Sequence, residues 1–240
     1  MYISKAIPRR DDPEVYEPAD LSGSGFVKLE DDDRFEIRMQ YPVLKMKNAE
    51  PECLVRKEVA KRLKDAADLL PKGYKFRIWD AWRPFALQKE LYEVYSEDLI
   101  KIFSLDRLSP KERNAVIRKY VSDPVRDIYI PPVHTTGGAV DLTVTDENGT
   151  ELDMGTGFDS FAPKTHTDFY EDKGLQADSS AIRDNRRLLY NIMTEAGFTN
   201  LPSEWWHFDY GDRFWAYYND RPALYEGVFD REVLNGYGKQ

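Results

Sequence analysis

At 240 residues, with 41% hydrophobic and 32% charged side chains and a formal net charge of -9, the chain has the balance of an ordinary globular protein able to enclose one sizeable core. Its basic residues alternate with acidic ones and form no stripe, which argues against a nucleic-acid partner, and no apolar run approaches the roughly 20 residues a bilayer demands. A single cysteine, Cys53, excludes an internal disulfide and reads as a small buried apolar residue.

The opening segment, residues 1–20, is polar and broken by prolines. It lacks the apolar stretch of a secretory signal, so it is expected to lie irregularly over the surface and, if Met1 is the natural start, the protein is expected to stay in the cytoplasm. Residues 54–70 place Val55, Val59, Leu63, Ala66 and Leu70 at helical spacing, and Pro71 with Gly73 supplies the stop. Tyr74 to Trp82 is rich in aromatic and β-favouring residues, after which Pro84 opens a helix expected to turn Leu87, Leu91 and Val94 inward. Ser109, Pro110 and Glu112 form a capping box at the head of a helix running towards Val121.

Ala139 to Thr145 reads as a strand, and residues 180–196 as a helix presenting Ile182, Leu189, Ile192 and Met193 on one face and ending at Gly197. Trp205 to Tyr210 and Phe214 to Tyr218 read as further strands. No repeat, low-complexity tract or flexible linker divides the chain, which predicts one domain over residues 1–240. Because helices come in groups and strands do not alternate with them, the fold expected is α+β, a mainly antiparallel sheet flanked by helices.

Two of the three histidines stand in unusual surroundings. In HTTGGAVD, residues 134–141, Asp141 interrupts an apolar strand where aspartate is disfavoured, so its carboxylate is expected to bind something. The paired Gly137 and Gly138 permit a tight turn that can swing His134 back beside it. In EWWHFDY, residues 204–210, an extended strand would put Trp205, His207 and Asp209 on one face and Trp206 and Phe208 on the other. Glu204 has the wrong parity to join His207 unless the chain bends before Trp205, and Pro202 and Ser203 make such a bend plausible. Two imidazoles and one carboxylate leave the fourth tetrahedral position of zinc open for water, and an unligated glutamate nearby is the natural acceptor of that water's proton. On spacing alone the plainer alternatives stay open: hydrogen-bonded or surface histidines, and tryptophans of the core or rim.

Four blocks, DAWRP at 80–84, HTTGGAVDLTV at 134–144, LDMGTGFDSF at 152–161 and SEWWHFDY at 203–210, occur in the order found in the VanX-type D-alanyl-D-alanine dipeptidases, which the chain resembles from about Ile37 onward. These are zinc peptidases related to the D,D-carboxypeptidases and to the Hedgehog signalling fold. The resemblance implies a Hedgehog-like or D,D-peptidase-like fold, a small D-amino-acid dipeptide as substrate, and one Zn2+ per chain held by His134, Asp141 and His207. It further implies Glu204 as general base, Arg83 as the stabiliser of the tetrahedral intermediate, and Asp159 as the anion that recognises the substrate's free amino terminus. Apart from the resemblance, Arg83 reads as a surface charge beside a helix start, and Asp159 reads equally as a turn aspartate or as an anion facing an ammonium. No protein partner is evident.

Departures from the pattern also stand out. Pro132 occupies the place of a serine that in the family helps to hold the substrate amine, and proline offers neither hydroxyl nor N–H. His166 is expected in a loop and not as a ligand, and residues 213–229 resemble an extension in some relatives without a legible role. Two rivals remain at this level: a D,D-carboxypeptidase trimming cell-wall peptides, and a zinc-binding module without activity.

Overall fold

The computed structural model describes residues 2–13, 24–172 and 179–237. In chain order it contains β1 (Phe26–Leu29), β2 (Phe35–Ile37), α1 (Gln40–Val43), β3 (Cys53–Arg56), α2 (Lys57–Ala67), β4 (Lys75–Asp80), α3 (Phe85–Ile102), α4 (Pro110–Ile117), β5 (Ala139–Thr145), α5 (Ser180–Glu195), β6 (Thr199–Asn200), β7 (His207–Asp209), α6 (Arg213–Asn219) and α7 (Arg231–Tyr237), joined by loops and short 3-10 turns. Five strands form one sheet in the order β2-β4-β5-β7-β6, and β1 pairs with β3 in a separate ribbon. Only β2 and β4 run parallel; every other pair is antiparallel, so the α+β fold with a mainly antiparallel sheet is the one observed.

All seven residues of β5 are buried, as befits the central strand. Alternation assigns its faces. Val140, Leu142 and Val144 join the main core with Val59, Leu63 and Ala66 of α2 and Leu189, Ile192 and Met193 of α5, whereas Ala139 packs on the opposite side with Val133 and Phe214. Asp141 shares that opposite face. The β4–β5 register runs Phe76 with Val144 and Ile78 with Leu142, then slips so that Asp80 lies opposite Asp141. Such a bulge re-aims a side chain, and since Asp141 is also paired with His207, three polar residues of adjacent strands fall in one row.

Several sequence expectations need correction. The helix read over 54–70 starts only at Lys57, because Cys53–Arg56 is claimed by pairing with β1. Along α3, Leu87 and Leu91 are buried as expected, but Val94 is 41% exposed, and the inward stripe continues through Gln88 and the half-buried Tyr95 instead. The capping box of α4 is present, although the helix stops at Ile117 and Val121 is buried from the loop beyond.

Phe214–Tyr218, read as a strand, is helical. The Asp212 carboxylate caps it by accepting from the N–H groups of Phe214 and Trp215, and this cap outweighs the β preference of the aromatic run. Of the strand expected over Trp205–Tyr210, only His207–Asp209 pairs; both tryptophans lie in the preceding turn and are buried in the core. The sequence reading also missed β1, β2 and β6, whose short runs carry little periodicity.

The start of the chain is held more firmly than expected. The Asn191 amide donates to the carbonyls of Tyr2 and Lys5, each at 2.8 Å, and Ile7 is buried. Residues 1 and 14–20 of that segment fall outside the described residues. Cys53 is fully buried, and no helix among the described residues is long and apolar enough to cross a membrane.

Candidate metal centre and substrate cleft

His134 lies in a 3-10 turn, Val133–Thr136, that leads into β5 through Gly137 in the left-handed region at φ 73°. A Cβ at Gly137 would lie 2.2 Å from the Phe26 ring, so both the backbone angle and the close approach require glycine. The turn is tied internally by the Thr135 and Thr136 hydroxyls, which donate to the carbonyls of Pro132 and Val133 at 2.7 and 2.6 Å. From outside, the fully buried Arg56 donates from Nε to the Thr136 carbonyl at 2.7 Å while lying over the rings of Phe26 and Tyr225. Residues 213–229 now acquire a role: the Val228 N–H donates to the Thr135 carbonyl at 2.8 Å, and its own carbonyl accepts from the Trp82 indole at 2.7 Å. The segment braces the turn that carries His134.

This support brings three buried donors together, and they form a possible metal site. His134 Nε2 lies 3.2 Å from His207 Nδ1 and 3.4 Å from Asp141 Oδ2, and His207 Nδ1 lies 3.0 Å from Asp141 Oδ1. The other nitrogen of each ring is committed. His134 Nδ1 donates to the Ala81 carbonyl at 2.9 Å, and His207 Nε2 donates to Asp209 Oδ1 at 2.7 Å. Both rings therefore turn lone pairs towards one another and towards a carboxylate, an arrangement of three electron-rich atoms that only a cation satisfies. The electrostatics agree. Against the cost of burial, the two imidazoles hold the Asp141 carboxyl well below the usual range. Burial also disfavours a charged His207, yet Asp209 and Asp141 draw its pKa well above the ordinary value, so in the absence of metal a proton takes the cation's place.

Asp141, His134 and His207 line a cleft of about 510 Å³ together with Glu204, Arg83 and Asp159. All six residues singled out in the sequence thus reach one site. Glu204 escapes its parity problem through successive turns: its N–H donates to the Leu201 carbonyl, and its own carbonyl accepts from the His207 N–H. The bend brings Glu204 Oε2 to 4.0 Å from His207 Nδ1. Burial pushes the Glu204 carboxyl up to about 8, with His207 opposing and the Asp141 and Asp159 charges reinforcing the rise.

Arg83 is not the surface charge that an isolated reading suggests. It is 8% exposed, its Nε and Nη2 donate to Asp80 Oδ2 at 3.0 and 2.8 Å, its Nη1 donates to Gln88 Oε1 at 2.8 Å, and Nη2 also reaches the Tyr41 hydroxyl at 3.2 Å. Nη2 lies 3.9 Å from Asp141 Oδ2, which places a fixed guanidinium beside the metal-ligand set. Asp159 adopts φ 54° in its loop, a conformation that aspartate tolerates better than most residues. Its Oδ2 accepts from the hydroxyls of Tyr41 at 3.0 Å and Tyr95 at 2.5 Å. Burial raises its carboxyl to about 6 against the lowering effect of those donors.

Sequence reasoning missed Tyr41, Asp80, Gln88 and Tyr95. Asp80 and Gln88 had local signals, three residues before and five after Arg83, but Tyr41 meets its partners across 42 and 118 residues and Tyr95 across 64. Asp209 was placed on the face of His207 by parity and does meet it. His166 is exposed in a loop and is not a member of the donor group. Pro132 lines the cleft, its carbonyl taken by Thr135.

Comparison with known proteins places this geometry in context. Residues 43–225 match the model of the M15 peptidase family, described as D-ala-D-ala dipeptidase. The chain is 31% identical over 183 residues to a D-alanyl-D-alanine dipeptidase of Synechocystis, an alignment covering 70% of this chain and 74% of the relative. It is 37% identical over 112 residues to a D-alanyl-D-alanine dipeptidase of Escherichia coli, covering 46% of this chain and 55% of the relative. A D-alanyl-D-alanine dipeptidase of Enterococcus faecalis is 30% identical over 148 residues, with 57% and 62% covered.

Proposed function

We propose, from the premise that the chain belongs to the D-ala-D-ala dipeptidase family of M15 peptidases, that it hydrolyses D-Ala-D-Ala or a closely related D-amino-acid dipeptide at a zinc ion held by His134, Asp141 and His207. The observation that carries this proposal is the spacing of the three donors. Zinc bonds of about 2.0–2.1 Å in tetrahedral geometry set ligand atoms about 3.3 Å apart; the two imidazole nitrogens lie 3.2 Å apart, and the Asp141 carboxylate meets them with Oδ2 at 3.4 Å from His134 and Oδ1 at 3.0 Å from His207. When bound, the metal supplies Lewis acidity towards water and the substrate carbonyl.

The remaining chemistry falls to side chains. Glu204 takes the proton of the attacking water at its carboxylate and returns it to the leaving amine; burial raises this carboxyl above the usual range in the metal-free protein, and a neighbouring cation, by lowering it, favours the ionised form that accepts the proton. Arg83, locked by Asp80 and Gln88, presents its guanidinium where negative charge develops on the carbonyl oxygen. Asp159 pairs with the substrate ammonium. A longer or blocked peptide would bring a neutral amide and leave that anion without a cation, so short substrates with a free amine are selected. The 1–240 chain is taken as one catalytic domain, and its lone, buried cysteine suits a cytoplasmic location.

The test is release of D-alanine by the zinc-loaded protein from D-Ala-D-Ala and from its N-acetylated form. Turnover of the free dipeptide with at least a hundredfold preference over the blocked one supports the dipeptidase. Equal turnover would instead identify a D,D-carboxypeptidase, and no turnover of either a zinc-binding module without activity.

A further inference from the structure

The inward stripe of α3 contains Gln88, Leu91 and Tyr95, all of which line the cleft. Spacing of three and then four residues puts them on one helical face. Gln88 serves Arg83; Tyr95 serves Asp159.

Two phenols converge on Asp159 Oδ2, but they are not equivalent. The Tyr41 hydroxyl is shared, accepting from Arg83 Nη2 at 3.2 Å while donating to Asp159 at 3.0 Å. The Tyr95 hydroxyl donates to Asp159 at 2.5 Å, the shorter of the two contacts. Its ring is fixed edge-on against Phe161 at 5.3 Å between centroids, and Phe161 is packed in the same way against Tyr120. Among the described residues no hydrogen bond reaches the other oxygen of Asp159, Oδ1. With Oδ2 occupied from two helices, rotation of the carboxylate would break both bonds.

We propose that Tyr95 is a positioning residue for amine recognition: its phenol holds Asp159 with Oδ2 engaged and Oδ1 free in the cleft to meet the ammonium of a dipeptide substrate. This rests on Asp159 being the amine-binding anion. The donor also favours the ionised carboxylate, which burial and the Asp141 charge oppose and which Arg83 and Tyr41 assist; Glu204 is the other acid facing it and in turn feels the charge of Asp159. Only the ionised form attracts an ammonium. Removing the phenol hydroxyl therefore weakens capture of free amines and moves the acid limb of the pH profile upward.

Tyr95→Phe keeps the ring and its packing, so folding is preserved, and it is compared with Asp159→Asn and with the double variant, all zinc-loaded. In Tyr95→Phe we expect kcat/KM for D-Ala-D-Ala to fall about 10-fold through KM, as for loss of a hydrogen bond to a charged group, and the acid limb to rise by about one unit from its native position. The residual turnover of N-acetyl-D-Ala-D-Ala and the zinc content are expected to stay unchanged, and Tyr95→Phe to add nothing in the Asp159→Asn background. An unmoved acid limb and KM in Tyr95→Phe, where Asp159→Asn abolishes the preference for free amines, would overturn the role of Tyr95 while leaving that of Asp159 standing. An equal loss on the blocked substrate would reduce Tyr95 to a packing residue. Retention of the free-amine preference in Asp159→Asn would overturn the amine-anion role itself, and with it that of Tyr95.

Discussion

Replacing Arg83 with methionine separates two contributions that the structure puts on one side chain. The guanidinium makes two hydrogen bonds to Asp80 Oδ2 and one to Gln88 Oε1, and Asp80 is only 2% exposed. Its loss leaves a buried carboxylate with only His134 Nδ1 at 3.3 Å among the described residues, a fault that costs about 3 kcal/mol, or on the order of 10 °C in Tm for a chain of this size. Loss of a fixed donor to the developing oxyanion lowers kcat by about 10²–10³. Calorimetry and D-alanine release measure the two effects independently. Adding Asp80→Asn to Arg83→Met removes the stranded charge, so most of the stability should return while kcat stays low. Recovery of activity in step with stability, or a kcat in Arg83→Met above a tenth of the native value, would refute a direct role for the guanidinium.

Other consequences concern the metal centre and its supports. Because burial holds Glu204 near 8 in the metal-free protein, about nine-tenths of it is protonated at pH 7. A neighbouring cation lowers that pKa, so zinc loading should release about one proton more from the native protein than from Glu204→Gln, read by titration calorimetry in buffers of different ionisation enthalpy; equal release would contradict this. Asp209→Ala removes the acceptor of His207 Nε2–H and should weaken zinc about 10- to 100-fold in competition with a chromogenic chelator. Gly137→Ala puts a Cβ 2.2 Å from Phe26 at a φ of 73°; a loss of about 1–3 kcal/mol of stability is expected, visible in thermal melts, and an unchanged Tm would show that the turn relaxes freely.

How much was legible in the sequence follows from the range of the interactions. The capping box of α4 and the extent of α5 are local, and both are present nearly as read. Asp141 betrayed itself by interrupting an apolar strand, and the parity that linked His207 with Asp209 needed only the extended backbone. The register slip that sets Asp80 opposite Asp141 has no local signature, because it depends on which strand β5 meets. Tyr95 looked like an ordinary aromatic position of an amphipathic helix, since its partner Asp159 lies 64 residues away, whereas Gln88, five residues after Arg83, was within local reach and overlooked. Phe214–Tyr218 shows the reverse failure, an aromatic run with strand propensity overruled by the single capping carboxylate of Asp212.

The central claim is tested most directly by restoring zinc to the metal-stripped protein while following D-alanine release from D-Ala-D-Ala. We expect no activity without metal, full activity at one Zn2+ per chain, and none in a Glu204→Ala variant that still binds one equivalent. Activity that survives removal of the metal, or a zinc-loaded Glu204→Ala variant that turns over at near-native rate, would contradict the assignment of this site.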